Sequence, residues 1–261
     1  MVWGGTLSEL KHKINHMEKV AAIILAAGKG KRMKAKGINK VVFPLGNKQM
    51  ILHAVDLLNS LSIRPIVVVV GFAKESVMNV LGNCVIYAEQ KKRLGTAHAV
   101  SCALKKLPIN VEIVLVLNGD DSAFYKKETI EKLIEVQNKS GAVITFLTIE
   151  LDNPIGLGRV VRDKSQKVLA IVEDKDASID YKKIKEINPG CYMFTLDFLR
   201  KYIKTIKKSK ITGEYYLTSL IDVAIKNNEK IETVRGGKLK WRGINTKEEL
   251  EAAEKIFSQS N

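Results

Sequence analysis

Three short apolar runs, separated by helical patterns, constrain the fold of this chain more than any other feature. The runs cover residues 20–25, 65–70 and 111–117, and each is continuous, as in a strand buried on both faces of a sheet. Amphipathic patterns at 50–61 and 96–106 lie between them. Strands that alternate with helices predict right-handed βαβ crossovers and an open, mainly parallel sheet. Ligands of such sheets bind at the carboxyl ends of the strands.

The second half of the chain has a different texture. From about Gly141, strand-like runs follow one another with turns rather than long helices between them. These runs are residues 142–149, 158–162, 168–173 and 191–194. Helical patterns return at 196–207, 216–227 and 247–257. We therefore expect the second half to complete the same sheet.

No internal repeat, linker or clear domain boundary interrupts this pattern, so we predict one α/β domain with two lobes. A separate amphipathic stripe precedes the first strand, with Leu7, Leu10 and Ile14 three or four residues apart. The predicted parts are a helical appendage at 1–18 and a domain at 19–261, divided into a first lobe at 19–140, a second lobe at 141–245 and a C-terminal helix at 246–261.

The charge balance restricts the partners of the chain. The formal net charge is +15, which would concentrate nucleic acids, membrane surfaces or small polyanions near the protein. The lysines are spread along the whole chain and few aromatic residues lie among them to stack on bases, so nucleic acid is not an expected partner. No apolar run approaches the roughly 18–20 residues of a membrane span, and no secretory signal is evident at the N-terminus. We therefore expect a cytoplasmic protein without membrane insertion.

The cysteines predict no disulfide or zinc site. Cys84, Cys102 and Cys191 are an odd number in unrelated sequence contexts, without a Cys-x-x-Cys pair. We expect buried, reduced thiols.

A glycine-rich basic segment directly follows the first apolar run and has the sequence LAAGKGKRM, residues 25–33. Gly28 and Gly30 permit backbone N–H groups to approach phosphate oxygens, and an arginine such as Arg32 can grip phosphate with two hydrogen bonds. The segment lacks the Gly-Lys-Ser/Thr ending of a P-loop and the third glycine of the dinucleotide fingerprint. By itself it predicts an anion-binding turn and leaves open a flexible basic turn without a ligand.

Two carboxylates stand out at strand ends. Asp120 follows the third apolar run, so its side chain should emerge at the ligand-binding edge, although a simple Gly-Asp turn would give the same pattern. Glu173 ends another apolar run, where an unpaired buried charge is costly, and this favours a functional role.

Taken together, these segments resemble the sugar-1-phosphate nucleotidyltransferases, and the later motifs are most similar to the N-acetylglucosamine-1-phosphate uridyltransferase (pyrophosphorylase) domain of the bifunctional bacterial enzyme. The resemblance runs from about Lys19 to the C-terminus, and it is carried by the common order of motifs that are weak singly. The motifs are LAAGKGKRM at 25–33, NKVVFPL at 39–45, AEQKKRLGTAHAV at 88–100, GD at 119–120, GLGRVVRD at 156–163, IVEDKDA at 171–177, EIN at 186–188, GEYYLT at 213–218 and GIN at 243–245.

The resemblance implies a Rossmann-like nucleotidyltransferase fold, with nucleotide bound in the first lobe and sugar in the second. The implied nucleotide contacts are Leu25, Ala26, Ala27, Gly28, Gln90, Gly95 and Thr96, with Gln90 on uracil. Arg32 and Lys40 would face the reacting phosphates. Gly158, Glu173 and Asn188 would bind the sugar, while Asp120 and Asn245 would bind Mg²⁺. We interpret His98 as structural, because the implied reaction needs no general base from it.

The implied reaction transfers uridylyl from UTP to N-acetylglucosamine-1-phosphate and releases pyrophosphate. Two alternatives stay open: a uridylyl- or thymidylyltransferase for another sugar-1-phosphate such as glucose-1-phosphate, and a catalytically silent sugar-nucleotide binder. They are motivated by departures from the family pattern, namely Arg93 in place of glutamine and Asp121, Ser122 and Ala123 after Asp120. No hexapeptide repeats follow, so no acetyltransferase β-helix is expected. The oligomeric state is left open.

Overall fold

A computed structural model of the chain describes residues 19–33, 37–237, 241 and 243–258. The predicted appendage at 1–18 lies outside the described residues. The strands are β1 (Val20–Ala26), β2 (Pro44–Leu45), β3 (Lys48–Gln49), β4 (Ile66–Val70), β5 (Ile86–Glu89), β6 (Ile113–Asn118), β7 (Ile144–Glu150), β8 (Gly158–Arg162), β9 (Val168–Val172), β10 (Glu186–Asn188), β11 (Tyr192–Thr195) and β12 (Ile231–Arg235). The α-helices are α1 (Met50–Ser60), α2 (Lys74–Leu81), α3 (Thr96–Leu104), α4 (Lys127–Ser140), α5 (Ile179–Lys182), α6 (Leu196–Tyr202), α7 (Ser219–Lys226) and α8 (Lys247–Ser258).

One mixed sheet runs through both halves of the chain, in the order β5-β4-β1-β6-β11-β7-β10-β8-β9, with β12 also paired to β7. The strands β5, β4, β1 and β6 are parallel to one another, and Ile23 on β1 lies level with Val67 on β4 and Val116 on β6. From β11 onward most pairings are antiparallel. The predicted α/β fold class is therefore confirmed, and the antiparallel pairs explain why turns replace long helices in the second half.

Helices cover both faces of the sheet. Each strand contributes to both faces, because successive side chains of a strand point to opposite sides. Along β1, Ala21 and Ile23 join a core cluster that includes α3, α6 and α7. Ala22 and Ile24 join the cluster on the other face, which includes α1, α2 and α4. Each large apolar side chain that is fully buried in these layers contributes roughly 1.5–3 kcal/mol. The two layers hold the carboxyl ends of β1, β4 and β6 at one rigid edge.

The C-terminal helix packs on the hairpin formed by β2 and β3. Its Ala253 shares a small buried cluster with Leu45 and Ile244. At the turn of the hairpin, the backbone N–H of Gly46 donates to Glu254 at 2.9 Å. This packing fixes where the segment before α8 can lie.

A capping box begins α8. Thr246 Oγ1 accepts a hydrogen bond from the N–H of Glu249 at 3.1 Å, and Glu249 Oε2 accepts from the N–H of Thr246 at 3.1 Å. The same carboxylate oxygen accepts from the N–H of Asn245 at 2.6 Å. The helix therefore holds the backbone of Asn245 directly at its start.

The expectation for the cysteines is partly wrong. All are free, but only Cys191 is buried, while Cys102 is half-buried and Cys84 is exposed. Cys84 lies in the turn between α2 and β5, where its Sγ donates to the carbonyl of Leu81 instead of packing in the core. Within the part of the chain that the structure describes, no helix is both long and apolar enough to cross a membrane.

Candidate active site

The glycine-rich segment forms a loop between β1 and a short 3₁₀ turn, Lys31–Met33. Its shape is set by Asn39, whose side chain is fully buried. Asn39 Nδ2 donates to the carbonyl oxygens of Ala26 and Phe72, both at 2.8 Å, and lies 3.3 Å from that of Gly28. Asn39 opens the motif at 39–45, and nothing in the sequence indicated a role for it. A buried amide is required here because three backbone carbonyls need a donor.

Two further glycines let neighbouring strands approach this loop. A Cβ atom on Gly71, after β4, would lie 2.9 Å from the carbonyl oxygen of Ala27. Gly119 follows β6 and donates its N–H to Leu25 at 3.0 Å. A Cβ atom on Gly28 would meet no atom of the described residues within 4 Å, so these residues leave the outer side of the loop uncovered. The loop therefore lies at the joined carboxyl ends of three parallel strands, where ligands bind in such sheets.

Lys40 joins the two predicted metal ligands. Its ammonium forms an ion pair with Asp120, and the side chains of both residues are 14% exposed. Nζ also donates to Asn245 Oδ1 at 2.9 Å and to the carbonyl of Ile244 at 3.2 Å. Three predicted site residues, widely separated in sequence, thus meet at one point beside the loop.

The donor set at this point fits Mg²⁺. The Asp120 carboxylate and the Asn245 amide oxygen bind one ammonium, so they are close enough to serve one cation. Both are hard oxygen donors, which magnesium prefers. Among residues 19–33, 37–237, 241 and 243–258, no three His, Cys, Asp or Glu side chains come together as a ligand set. A magnesium ion here would therefore take further ligands from phosphate or water.

The altered loop after Asp120 turns its second carboxyl group inward. Asp121 is 5% exposed, and its Oδ2 accepts from Asn118 Nδ2 at 3.1 Å. Burial, followed by the charge of Asp120, raises the pKa of Asp121 well above its usual range. Ser122 Oγ donates back to the carbonyl of Asn118. Asp120 is consequently the carboxylate of this loop that meets Lys40.

Gln90 and Gly95, both predicted nucleotide contacts, touch each other. Gln90 lies just after β5 and is 4% exposed. Its Nε2 is 3.0 Å from the carbonyl oxygen of Gly95 and 2.9 Å from His98 Nδ1. Gly95 has a φ of +106°, and a Cβ atom there would collide with the backbone of Tyr215.

Hydrogen bonds to the backbone of residues 215–217 hold the loop at 94–97 against the second half of the chain. Thr96 Oγ1 accepts from the N–H of Leu217 at 2.8 Å. The N–H of Tyr215 donates to Leu94 at 2.7 Å, and its carbonyl accepts from Ala97 at 3.0 Å. Tyr215 thus joins the two halves of the chain through its backbone, a contact that the sequence did not indicate.

The predicted sugar residues also lie together. Glu173 Oε2 is 3.6 Å from the position that a Cβ atom would take on Gly158, and Glu173 Oε1 accepts from Thr218 Oγ1 at 2.8 Å. Asn188 pairs with Gly158 across two strands and donates to the hydroxyl of Tyr192. Burial, opposed by the Thr218 hydrogen bond and supported by nearby acidic residues, raises the pKa of Glu173. Thr218 and Tyr192 are additional polar groups that sequence reasoning did not assign.

Two contacts connect these predicted sugar-binding residues to the rest of the molecule. A Cβ atom on Gly190, two residues after Asn188, would collide with the Asn118 side chain at the end of β6. Next to Gly158, Arg159 is 1% exposed and its Nη2 lies 3.1 Å from Asp174. This ion pair fixes the strand end that carries Glu173. Nothing in the sequence had set Arg159 apart from the other residues of its motif.

A cavity of about 200 Å³ lies between the glycine-rich loop and the second half of the chain. Arg32, which is exposed, lines it together with Asn245 and with residues 151–153 and 155–157. Trp241, Gly243 and Glu249 complete the lining. The cavity provides space beside the Lys40 cluster for an anionic ligand that Arg32 can reach.

Known proteins resemble this chain in sequence and in fold. A family model described as a MobA-like NTP transferase domain matches residues 22–178. The chain is similar to the "Bifunctional protein GlmU" of Caldanaerobacter subterraneus subsp. tengcongensis, with 40% identity over 241 residues, covering 92% of this chain and 52% of that protein. The protein of the same description from Caldicellulosiruptor saccharolyticus is 41% identical over 240 residues, covering 91% of this chain and 51% of the relative. The chain thus spans about half the length of the curated relatives it matches.

A solved structure shares the fold. It is a crystal structure from Bacillus anthracis described as a glucose-1-phosphate thymidylyltransferase in complex with a sucrose. The TM-score is 0.77 at 23% sequence identity, and the match covers 93% of this chain and 96% of the other. The likeness therefore extends through both halves of the sheet.

Proposed function

The chain belongs to the family of MobA-like NTP transferase domains, and from this premise we propose that it is a Mg²⁺-dependent sugar-1-phosphate uridylyltransferase. The substrates proposed are UTP and N-acetylglucosamine-1-phosphate. The resemblance predicted from the motifs is confirmed by the curated relatives, which carry the name of the bifunctional protein. The proposal concerns nucleotidyl transfer alone.

The observation that carries the proposal is the meeting of Lys40, Asp120 and Asn245 beside the glycine-rich loop. Two oxygen donors for a cation and one ammonium lie at the carboxyl edge of a parallel sheet, which is where phosphates bind in folds of this type. A reaction between two phosphate-bearing substrates requires such charge compensation.

The reaction needs no nucleophile from the protein. An oxygen of the sugar phosphate attacks the α-phosphorus of UTP, a new P–O bond forms, the bond to the β-phosphate oxygen breaks, and pyrophosphate leaves. The loop at residues 27–30 would bind the triphosphate through backbone N–H groups, while Arg32 and Lys40 offset its charge. Bound Mg²⁺ would supply further compensation on the phosphate oxygens. Catalysis then consists of orientation and electrostatic stabilisation.

Recognition of the sugar is assigned to Gly158, Glu173 and Asn188. The carboxylate and the amide present acceptors and donors suited to hydroxyl and N-acetyl groups. Gly158 leaves room beside Glu173, because a Cβ atom there would fill the space against the carboxylate. The structural neighbour, which shares the fold, is described as acting on glucose-1-phosphate, so sugar choice is the part that the assay must decide.

The test is a panel of pyrophosphate-release assays. UTP, dTTP, CTP, ATP and GTP are each combined with N-acetylglucosamine-1-phosphate and glucose-1-phosphate, with Mg²⁺ or with EDTA. We expect the highest kcat/KM for UTP with N-acetylglucosamine-1-phosphate, and no release in EDTA. Turnover confined to dTTP or to glucose-1-phosphate would instead support the alternative transferases. Binding of UDP-sugar without turnover of any pair would identify a silent binder.

Nucleic acid is not among the proposed partners. If the net charge of +15 served nucleic-acid binding, the protein would bind duplex or single strands with strong salt dependence, and UTP would not displace them. A competition assay with labelled oligonucleotide and UTP separates the two cases.

A further inference from the structure

The amide of Gln90 has both of its hydrogens engaged inside the protein. One points to the carbonyl oxygen of Gly95 at 3.0 Å, and the other points to His98 Nδ1 at 2.9 Å. A primary amide has two N–H donors and one carbonyl acceptor. Gln90 Oε1 is therefore the part of this side chain that remains for a ligand.

The two partners fix this orientation for a clear reason. A carbonyl oxygen such as that of Gly95 can only accept, so an amide turned the other way would place two acceptors against each other. With the amide in this orientation, His98 Nδ1 must accept the second hydrogen, so a neutral His98 ring carries its proton on Nε2. Rotation of the amide would lose the hydrogen bond to Gly95 and would require the other tautomer of His98.

Rigid elements hold each of these groups. The backbone N–H of Gln90 donates to Val70 at 2.8 Å, so the residue is fixed to the end of β4. His98 lies in the first turn of α3, and Gly95 immediately precedes that helix. Gln90 is 4% exposed, which leaves little room for other rotamers. The acceptor is thus presented from a preorganised frame.

We propose that His98 is a positioning residue that sets base selectivity by holding the Gln90 amide with its oxygen toward the nucleotide. The inference rests on the proposed function, in which Gln90 meets the base. An acceptor at this place favours uracil or thymine, whose N3–H donates, over cytosine, whose N3 only accepts. It rejects CTP because two acceptors would face each other without a proton between them. It does not separate UTP from dTTP.

The experiment compares the ratio of kcat/KM for UTP to that for CTP in three proteins. His98→Phe keeps a flat ring but removes one acceptor, so the Gln90 amide keeps only its hydrogen bond to Gly95 and is held less firmly. His98→Asn places an amide oxygen near the position of Nδ1 and should restore the hydrogen bond. We expect the ratio to fall about tenfold in His98→Phe, which is the scale of one hydrogen bond, and to stay within about threefold of wild type in His98→Asn.

A matched control separates positioning from simple destabilisation. His53 is also a histidine with a hydrogen-bonded ring nitrogen, but its partner is the backbone carbonyl of Leu45, at 2.9 Å, and it lies in α1. His53→Phe should lower the melting temperature and leave the UTP:CTP ratio unchanged. If His98→Phe does not fold, His98→Ala replaces it in the same comparison.

The outcomes distinguish the inference from the proposed function. An unchanged ratio in His98→Phe, in a protein that turns over UTP, overturns the positioning role and leaves the transferase intact. Absence of turnover in the wild type overturns the proposed function, and the ratio of dissociation constants for UTP and CTP in the presence of Mg²⁺ then decides the role of His98. A reduced ratio that His98→Asn restores supports the inference.

Discussion

Asp120 and Asp121 are adjacent in the chain, but the structure gives their carboxyl groups different surroundings. Asp120 pairs with Lys40 at the edge of the sheet, whereas Asp121 is turned toward Asn118 and is 5% exposed. Burial and the neighbouring charge raise the pKa of Asp121, and its Oδ2 is already bonded to Asn118. One carboxylate of the pair is thus available for chemistry.

This difference predicts opposite results for two matched substitutions. Asp120→Asn should lower kcat/KM at least about 100-fold, because it removes a charged ligand from the cation site. Asp121→Asn should stay within about threefold of wild type, because Asn118 can still donate to the new amide oxygen. The measurement is pyrophosphate release at saturating Mg²⁺. Equal losses in both variants would contradict the assignment of Asp120 as the metal ligand.

Glu173 carries a cost to stability that its proposed role in sugar binding explains. Its pKa is raised, mainly by burial, so ionisation favours the unfolded chain as pH rises above the usual carboxyl range. Glu173→Gln should therefore raise the free energy of unfolding at pH 7.5 and raise the KM for the sugar phosphate at least about tenfold. The gain in stability should disappear near pH 4, where both forms are neutral. Urea denaturation at the two pH values checks it.

Glu186 provides the control, because its pKa is shifted in the opposite direction to that of Glu173. Burial acts to raise its pKa, but the hydrogen bonds from Arg162, at 2.6 and 2.8 Å, and from Thr148, together with the charges of Arg162 and Arg235, outweigh burial and lower it. Its stabilisation is present above the usual carboxyl pKa and is lost as pH falls through the lowered value. Glu186→Gln should consequently destabilise the protein at pH 7.5. A gain in stability in both variants would show that burial alone governs these carboxyls.

Among the secondary-structure elements, the docking of α8 on the β2–β3 hairpin positions Asn245. Gly46 in the hairpin has a φ of +64°, and a Cβ atom there would lie 2.5 Å from the ring of Phe257 in α8. The Phe257 ring in turn meets His53 edge-on, with ring centroids 5.0 Å apart. The contact is tight on both sides, so the Phe257 ring has little room to move aside and an added methyl group would push on α8 itself.

Gly46→Ala should therefore displace α8 and weaken the cation site. We expect a loss of about 2–4 kcal/mol in unfolding free energy and a higher Mg²⁺ concentration for half-maximal activity. Gly141→Ala is the matched control, because its φ is +66° and nothing lies within 4 Å of the added atom. It should cost about 1 kcal/mol and leave the Mg²⁺ dependence unchanged. Identical Mg²⁺ curves for both variants would rule out the link from α8 to the metal.

The elements differ in how well the sequence predicts them. The strands β1, β4 and β6 are found within two residues of their predicted bounds, because both faces are buried and the apolar runs are continuous. The strand β5 was not predicted, since it lies at the sheet edge and buries only Ala88. The predicted helix at 216–227 begins later, at Ser219, because the backbone of residues 215–217 bonds the loop at 94–97 instead. That pairing is a tertiary contact and leaves no periodic signal.

In the candidate site too, the sequence predicts where single residues lie but not which residues contact each other. The carboxyl-edge positions of the glycine-rich loop and of Asp120 follow from strand patterns, and the resemblance supplied the assignments of Gln90 and Asn245. The contacts between residues did not follow, because Lys40 and Asn245 are 205 positions apart. The roles of Asn39 and His98 in holding backbone carbonyls or amides likewise depend on which groups become buried together. Such pairings are properties of the packed chain.

For the molecule as a whole, the net charge of +15 should act on the rate of substrate capture. Both proposed substrates are anions, and a positive protein accelerates their approach by a field that salt screens. We expect kcat/KM for UTP to fall about tenfold between about 20 mM and 200 mM NaCl. Binding of uridine, which is neutral, should vary little over the same range and serves as the control. A kcat/KM that is independent of salt would show that the net positive charge does not accelerate substrate capture.

The bond between Lys40 and Asn245 also sets an order of events during synthesis. The lysine leaves the ribosome 205 residues before the asparagine that it holds, and α8, which fixes that asparagine, is translated later still. The parallel strands and the glycine-rich loop can assemble while translation continues, since nascent chains generally fold from the N-terminal side. On the proposed function, the growing polypeptide would acquire its nucleotide-binding loop before the complete cation site, and we expect it to stay inert toward triphosphates until α8 docks.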